Sequence, residues 1–355
     1  MIIQPRPFNL RKTLTALAVI GVAFYFYYQR PPPLQFWRMS GATMGTTYSI
    51  KVLDQRLTQV DVQRLKQEID AHLAEINRQM STYLPDSEIS RFNQHQDTTP
   101  FSVSPGFAGV MRLAVEVCRD TDGAFNPGLD PLINAWGFGP SGPGATPDEA
   151  ILERALALAG CDAVSVTPDG ALVKQHPRST ANLNAIAKGW GVDEVARLIE
   201  KAGVTNYFVE IGGEVFARGI SEKIRPWRVG IDRPADGALP GEAYDLVVAL
   251  DGVALATSGN YRNFFTTDDG INVAHILDPR TGRPVLSSTA SVSVIAPTCM
   301  LADALATAFF VMGSDEGLAW VERHEGVEAA FTEYGADGEL VTRLSPGFSS
   351  FVVSP

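Results

Sequence analysis

Hydrophobic and polar positions alternate along this chain with two distinct periods. Val62, Leu65, Ile69, Leu73 and Ile76 recur every three or four residues and predict a helix over Val60 to Met80. Val110, Met111, Leu113, Ala114 and Val117 predict a second over Pro105 to Thr121, and Pro147 to Gly160 reads as a third. Val192, Val195, Ala196, Leu198 and Ile199 form an amphipathic run that follows an Ala-Lys-Gly step at Lys188 and ends at Gly203. An alanine-rich helix is expected over Thr298 to Met312 and another over Asp315 to Arg323. Between them lie short β-rich runs: Thr43 to Leu53, Tyr207 to Ile211, Trp227 to Asp232, Ala243 to Leu250, Val253 to Thr257, Val273 to Leu277, Ala290 to Ala296, Val327 to Thr332 and Ser350 to Val353. Ala163 to Val173 predicts a hairpin turning at Asp169–Gly170. Helices and strands mix without strict βαβ alternation, so the fold class is α+β.

The first thirty residues differ from the rest. Arg6, Arg11 and Lys12 precede an apolar run from Leu14 to Tyr28 whose far end is aromatic. Basic residues stay on the cytoplasmic side and aromatic rings settle at the membrane interface. The run is short for a spanning helix. A cleaved signal peptide is the competing reading, but no small-x-small site follows. Residues 1–30 are therefore expected to anchor the chain in an inner membrane, residues 31–41 to act as a tether, and residues 42–355 to form one extracytoplasmic, periplasmic domain. The whole chain has 355 residues and a net charge of −11, which argues against a nucleic-acid surface. Cys118, Cys161 and Cys299 are widely spaced and read as buried apolar residues without chemistry.

Four stretches carry candidate chemistry. Lys188 sits before a helix N-terminus, where N–H groups and the helix dipole favour a phosphate; taken alone, it reads first as a surface lysine before an ordinary helix. Asp303 and Thr307 lie four apart in LADALATA, so both oxygens share one helix face and suit Mg²⁺ beside substrate phosphates; taken alone, the pair reads first as a helix in which a buried Asp303 acts as a cap. His275, in a strand just before a turn, lies near Ser258, Arg262 and Asp278, residue types that bind and activate phosphate esters. Tyr83 in MSTY offers a ring for stacking, and Trp136 and Phe138 either line an aromatic pocket or fill a core.

The stretches MGTTYSI, MSTYLPDSEISRFN, GAFNPGLDPLINAWGFG, NLNAIAKGWGVD, VEIGGEVFARG, WRVGIDRP, TSGNYRNFF, HILDPRTGRPV and LADALATA, in that order, resemble the ApbE family. The resemblance implies a single ApbE-like, T-fold-like domain and a FAD:protein FMN transferase that joins FMN to a threonine hydroxyl of a target flavoprotein, a membrane-associated redox subunit. It implies FAD contacts at Met44, Tyr83, Ala124, Phe125, Asn126, Asn182, Lys188 and Leu277. Arg262 would add positive charge at the phosphates. It implies a Mg²⁺ shell from the Ala185 carbonyl, Asp303 and Thr307, and a transfer role for His275. The family usually carries Asp where Asn126 and Asn182 stand here. Rival readings are an FAD pyrophosphatase with water as acceptor, a non-catalytic flavin-binding protein, and an anchored scaffold.

Overall fold

The computed structural model describes residues 33–139, 146–234, 243–260 and 276–354, the single residues 15, 19, 142 and 241, and the backbone of 264–266 and 272–274. In chain order the first elements are β1 (Gln35–Thr43), β2 (Thr46–Asp54), α1 (Gln59–Met80), α2 (Glu88–Gln94), α3 (Pro105–Asp120), α4 (Asp130–Ala135) and α5 (Glu149–Leu156). Next come β3 (Val164–Val166), β4 (Leu172–Lys174), α6 (Ala187–Lys201), β5 (Tyr207–Ile211), β6 (Glu214–Arg218), β7 (Trp227–Asp232), β8 (Tyr244–Leu250) and β9 (Val253–Gly259). Short pairs β10 (Phe264–Thr266) with β11 (Asn272–Ala274), and β12 (Leu277–Asp278) with β13 (Arg283–Pro284), lead to β14 (Thr289–Ala296). The chain closes with α7 (Cys299–Val321), β15 (Glu328–Tyr334) and β16 (Leu340–Leu344).

Among the described residues, one eight-stranded sheet dominates, in the order β1-β2-β5-β6-β9-β14-β15-β16, and its strand pairings are antiparallel. The period-2 rule sorts its side chains between two cores. Ile50, Val52, Val209, Ile211, Val292 and Val294 face a helical layer built from α1, α6 and α7, including Leu73, Val195 and Phe309. Phe208, Val215 and Ile295 point the other way, onto Trp227 and Val248 of the β7–β8 hairpin and onto Phe348. All of β14 is buried because both of its faces are covered. That is the pattern of a central strand: even Thr289, Ser291 and Ser293, which alternate with apolar residues along it, are buried.

Several expectations are corrected. Gln35–Gly41, expected in the tether, lies in the edge strand β1 and pairs with β2 from Gln35↔Asp54 to Thr43↔Thr46. Ser350 to Val353 is not a strand: a 3₁₀ turn covers Phe348–Ser350, and one bridge joins Val248 and Val352. Strands β6 and β16 carry no sequence expectation; β6 begins directly after the Gly212–Gly213 turn that follows β5. Cys118 and Cys161 are not inert thiols but a disulfide, while Cys299 is free and buried. No helix among the described residues is long and apolar enough to cross a membrane. The expected anchor falls on residues 1–30, which apart from Thr15 and Val19 lie outside the described residues.

Candidate active site

Two helix beginnings meet and cap one another. At the start of α6 the backbone N–H of Gly189 donates to Asp303 Oδ2 on α7 at 2.9 Å. At the start of α7 the N–H groups of Cys299 and Met300 donate to the Asp193 carboxylate on α6, at 2.8 and 2.9 Å. Carboxylates at helix N-termini satisfy N–H groups that have no partner within the helix. Close approach is possible because residue 189 is glycine: a Cβ there would meet the Cys299 carbonyl oxygen at 2.3 Å and Asp303 Cβ at 2.8 Å.

Lys188 projects from this junction and ion-pairs with Glu214, the first residue of β6. Burial works against the Lys188 ammonium, but Asp303 and Glu214 outweigh it and raise its pKa, so it stays charged at physiological pH. Burial pushes the carboxyls of Asp303 and Glu214 upward, against the pull of Lys188. One ammonium thus faces two buried carboxyl groups, and Glu214 Oε2 has no hydrogen-bond partner among the described residues. Thr307, one turn beyond Asp303, is 3.2 Å from the Ser258 hydroxyl of β9.

These groups form one end of a cleft of about 600 Å³. Of the residues singled out from the sequence, Tyr83, Ala124, Phe125, Asn126, Asn182, Ala185, Lys188, Leu277, Asp303 and Thr307 line it together. Met44 does not; it occupies the β1–β2 turn at φ 49°, with its terminal methyl beside Gly191 of α6. His275 and Arg262 lie outside the described residues. Trp136 fills a small core with Leu132, Leu152 and Leu277 and donates to the Gly282 carbonyl at 2.7 Å, whereas Phe138 lines the cleft.

Another part of the lining is built by local turn chemistry. Asn126 Oδ1 accepts from the Gly128 N–H at 2.8 Å, and the Asn182 N–H donates to the Pro127 carbonyl at 2.8 Å. Asn182, where the resemblance implies Asp, donates through Nδ2 to buried Asp130. A carboxylate therefore remains in this wall, set back from the cleft. Sequence reasoning missed Gly189, Asp193 and Asp130, and it gave Glu214 no role. The signal for Glu214 was a lone acid opening a strand after two glycines, which has no meaning until β6 is placed beside α6.

The architecture is that of solved flavin transferases. A structure described as flavin transferase ApbE from Vibrio cholerae superposes with a TM-score of 0.81 at 38% identity, covering 90% of this chain and 100% of that one. The apo flavinyl transferase ApbE of Pseudomonas stutzeri gives 0.79 at 34%, covering 90% and 97%. Among curated relatives, FAD:protein FMN transferases of Vibrio cholerae and Haemophilus influenzae are 41% and 39% identical, over 82% and 87% of this chain and 86% and 90% of theirs. The ApbE family model matches residues 44–331, and the chain belongs to the ApbE family.

Proposed function

We propose that this chain is a Mg²⁺-dependent FAD:protein FMN transferase that attaches FMN to a threonine or serine hydroxyl of a target flavoprotein. The observation that carries the reading is the convergence of Lys188, Asp303, Thr307 and Ala185 on one cleft, in a chain whose relatives are named for that reaction.

The residues present fit a divalent cation. Asp303 gives one oxygen to Gly189 and keeps the other, Thr307 adds a hydroxyl and Ala185 a carbonyl. A divalent cation there would favour the ionised carboxyls that burial disfavours. Among the described residues no three His, Cys, Asp or Glu converge as a metal cluster. A site with one carboxylate, neutral oxygens and substrate phosphates is the kind Mg²⁺ accepts. Bound there, Mg²⁺ would neutralise charge building on the phosphoryl oxygens. Lys188 brings a permanent positive charge to the same end, and the α6 N-terminus adds its dipole. The acceptor oxygen attacks the phosphorus on the FMN side, the bond to the AMP phosphate breaks, and AMP departs. The hydroxyl proton goes to a base, and the imidazole of His275 is the residue type the sequence offers for that role. Leu277, Phe125 and Tyr83 hold the planar and apolar parts of the donor.

We also propose that residues 1–30 anchor the chain in the inner membrane, with the domain in the periplasm. The disulfide supports an oxidising compartment. Anchoring would bring the enzyme to a membrane-associated redox target in two dimensions.

The test is an intact-mass assay with the full-length protein, FAD, Mg²⁺ and a threonine-bearing target, with Asp303→Asn as control. The expected result is an FMN adduct, reduced about a hundredfold or more in the control, since a metal's charge stabilisation is worth several kcal/mol. AMP release without adduct would identify the pyrophosphatase instead. FAD binding without turnover would leave only a flavin-binding protein.

A further inference from the structure

We infer that Asp130 is a positioning residue of the flavin cleft, which it serves by fixing the side-chain amide of Asn182. The inference rests on the flavin reading above.

Asp130 opens α4 and is only 6% exposed. Its Oδ2 accepts from Asn134 Nδ2 at 2.9 Å, and its Oδ1 accepts from Asn182 Nδ2 at 3.3 Å. Burial pushes this carboxyl up, while hydrogen bonds from Asn182, Thr180 and Asn134 pull it down. Asp130 does not line the cleft, but Asn182 does. The Asn182 side-chain oxygen Oδ1 accepts from the Asn184 N–H at 3.0 Å, so its side-chain amide has one orientation that satisfies both neighbours. With the Asn182 N–H on Pro127, the 181–185 segment is clasped to the loop that carries Ala124, Phe125 and Asn126. The same segment delivers the Ala185 carbonyl and leads into Lys188.

Chemistry then requires one acid and one amide at this pair. A carboxylate at 182 would oppose the Asp130 carboxylate and lose its only donor to it. An amide at 130 would turn one of its own donors toward a donor, either that of Asn134 or that of Asn182. Each mismatch leaves a buried polar group without a partner. Exchanging the two residues restores one donor and one acceptor across the gap.

The test is a four-member cycle in the full-length protein: wild type, Asp130→Asn, Asn182→Asp and the double exchange. FAD affinity is read by flavin fluorescence with Mg²⁺ present, KM and kcat by FMN transfer, and folding by thermal melting. Each single variant is expected to weaken FAD binding and raise KM for FAD about five- to tenfold, with kcat changed less than about twofold. The double exchange is expected to return to within about threefold of wild type. If the singles melt early, the double must recover their Tm. The inference is overturned if the singles bind FAD normally, if the double shows the product of the single losses, or if kcat falls while FAD affinity holds. Absence of an FMN adduct from the wild type would sink the transferase reading while leaving the binding cycle readable.

Discussion

Replacing Gly189 with alanine tests the junction on which the site is built. The new Cβ would lie 2.3 Å from the Cys299 carbonyl oxygen and 2.6 Å from its carbon, where ordinary contact begins near 3.4 Å. Both are backbone atoms at the start of a long helix, so no side chain can swing away. The beginnings of α6 and α7 must separate by about 1 Å, the difference between those distances. Overpacking of this kind costs about 1–3 kcal/mol, well inside the usual stability of about 5–15 kcal/mol, so the variant should fold. The geometry suffers more. Asp303 would be carried away from the Gly189 N–H and from Lys188, and misplacement of a catalytic constellation by about 1 Å costs about a hundredfold in rate. The assay pairs FMN-adduct formation by intact mass with thermal melting by circular dichroism. The expected outcome is a melting temperature lowered by several degrees and transfer lowered about a hundredfold. A variant that transfers FMN within twofold of wild type would refute the claim that this contact sets the site.

Two further outcomes follow from residues away from the junction. Cys118 and Cys161 are 43 residues apart, so loop closure predicts that Cys161→Ser lowers stability by about 4 kcal/mol, measurable by urea unfolding of the oxidised protein. Equal stability of wild type and variant would show that the bond contributes nothing to folding. Lys174 is buried, with Nζ donating to the Asn93 carbonyl at 3.0 Å, and burial lowers its pKa to about 8. Between pH 8 and the unfolded value of 10.5 the unfolded chain binds the extra proton, so stability should rise with pH. The slope should approach about 1.4 kcal/mol per pH unit and vanish in Lys174→Met. A flat wild-type profile in that window would contradict the reading.

The sequence by itself determined what depends on neighbours along the chain. The spacing of Val62 to Ile76 gave α1, Gly203 ended α6, and Asp303 with Thr307 could be placed on one helical face because helix geometry fixes residues four apart. Motif order was enough to point to the family, and most of the named cleft residues do share one cavity. Tertiary structure alone decided what depends on partners far apart in the chain. β1 looked like a tether because an edge strand needs only one partner, and nothing local announces its pairing with β2. Cys118 and Cys161 meet only when the end of α3 packs against the loop after α5. Glu214 and Gly189 gain meaning because β6 and α7 are brought against the start of α6, where one buried ammonium and two buried carboxyls must balance. Asn182 reads as the loss of a charge in the sequence; in the fold the charge stands behind it, on Asp130.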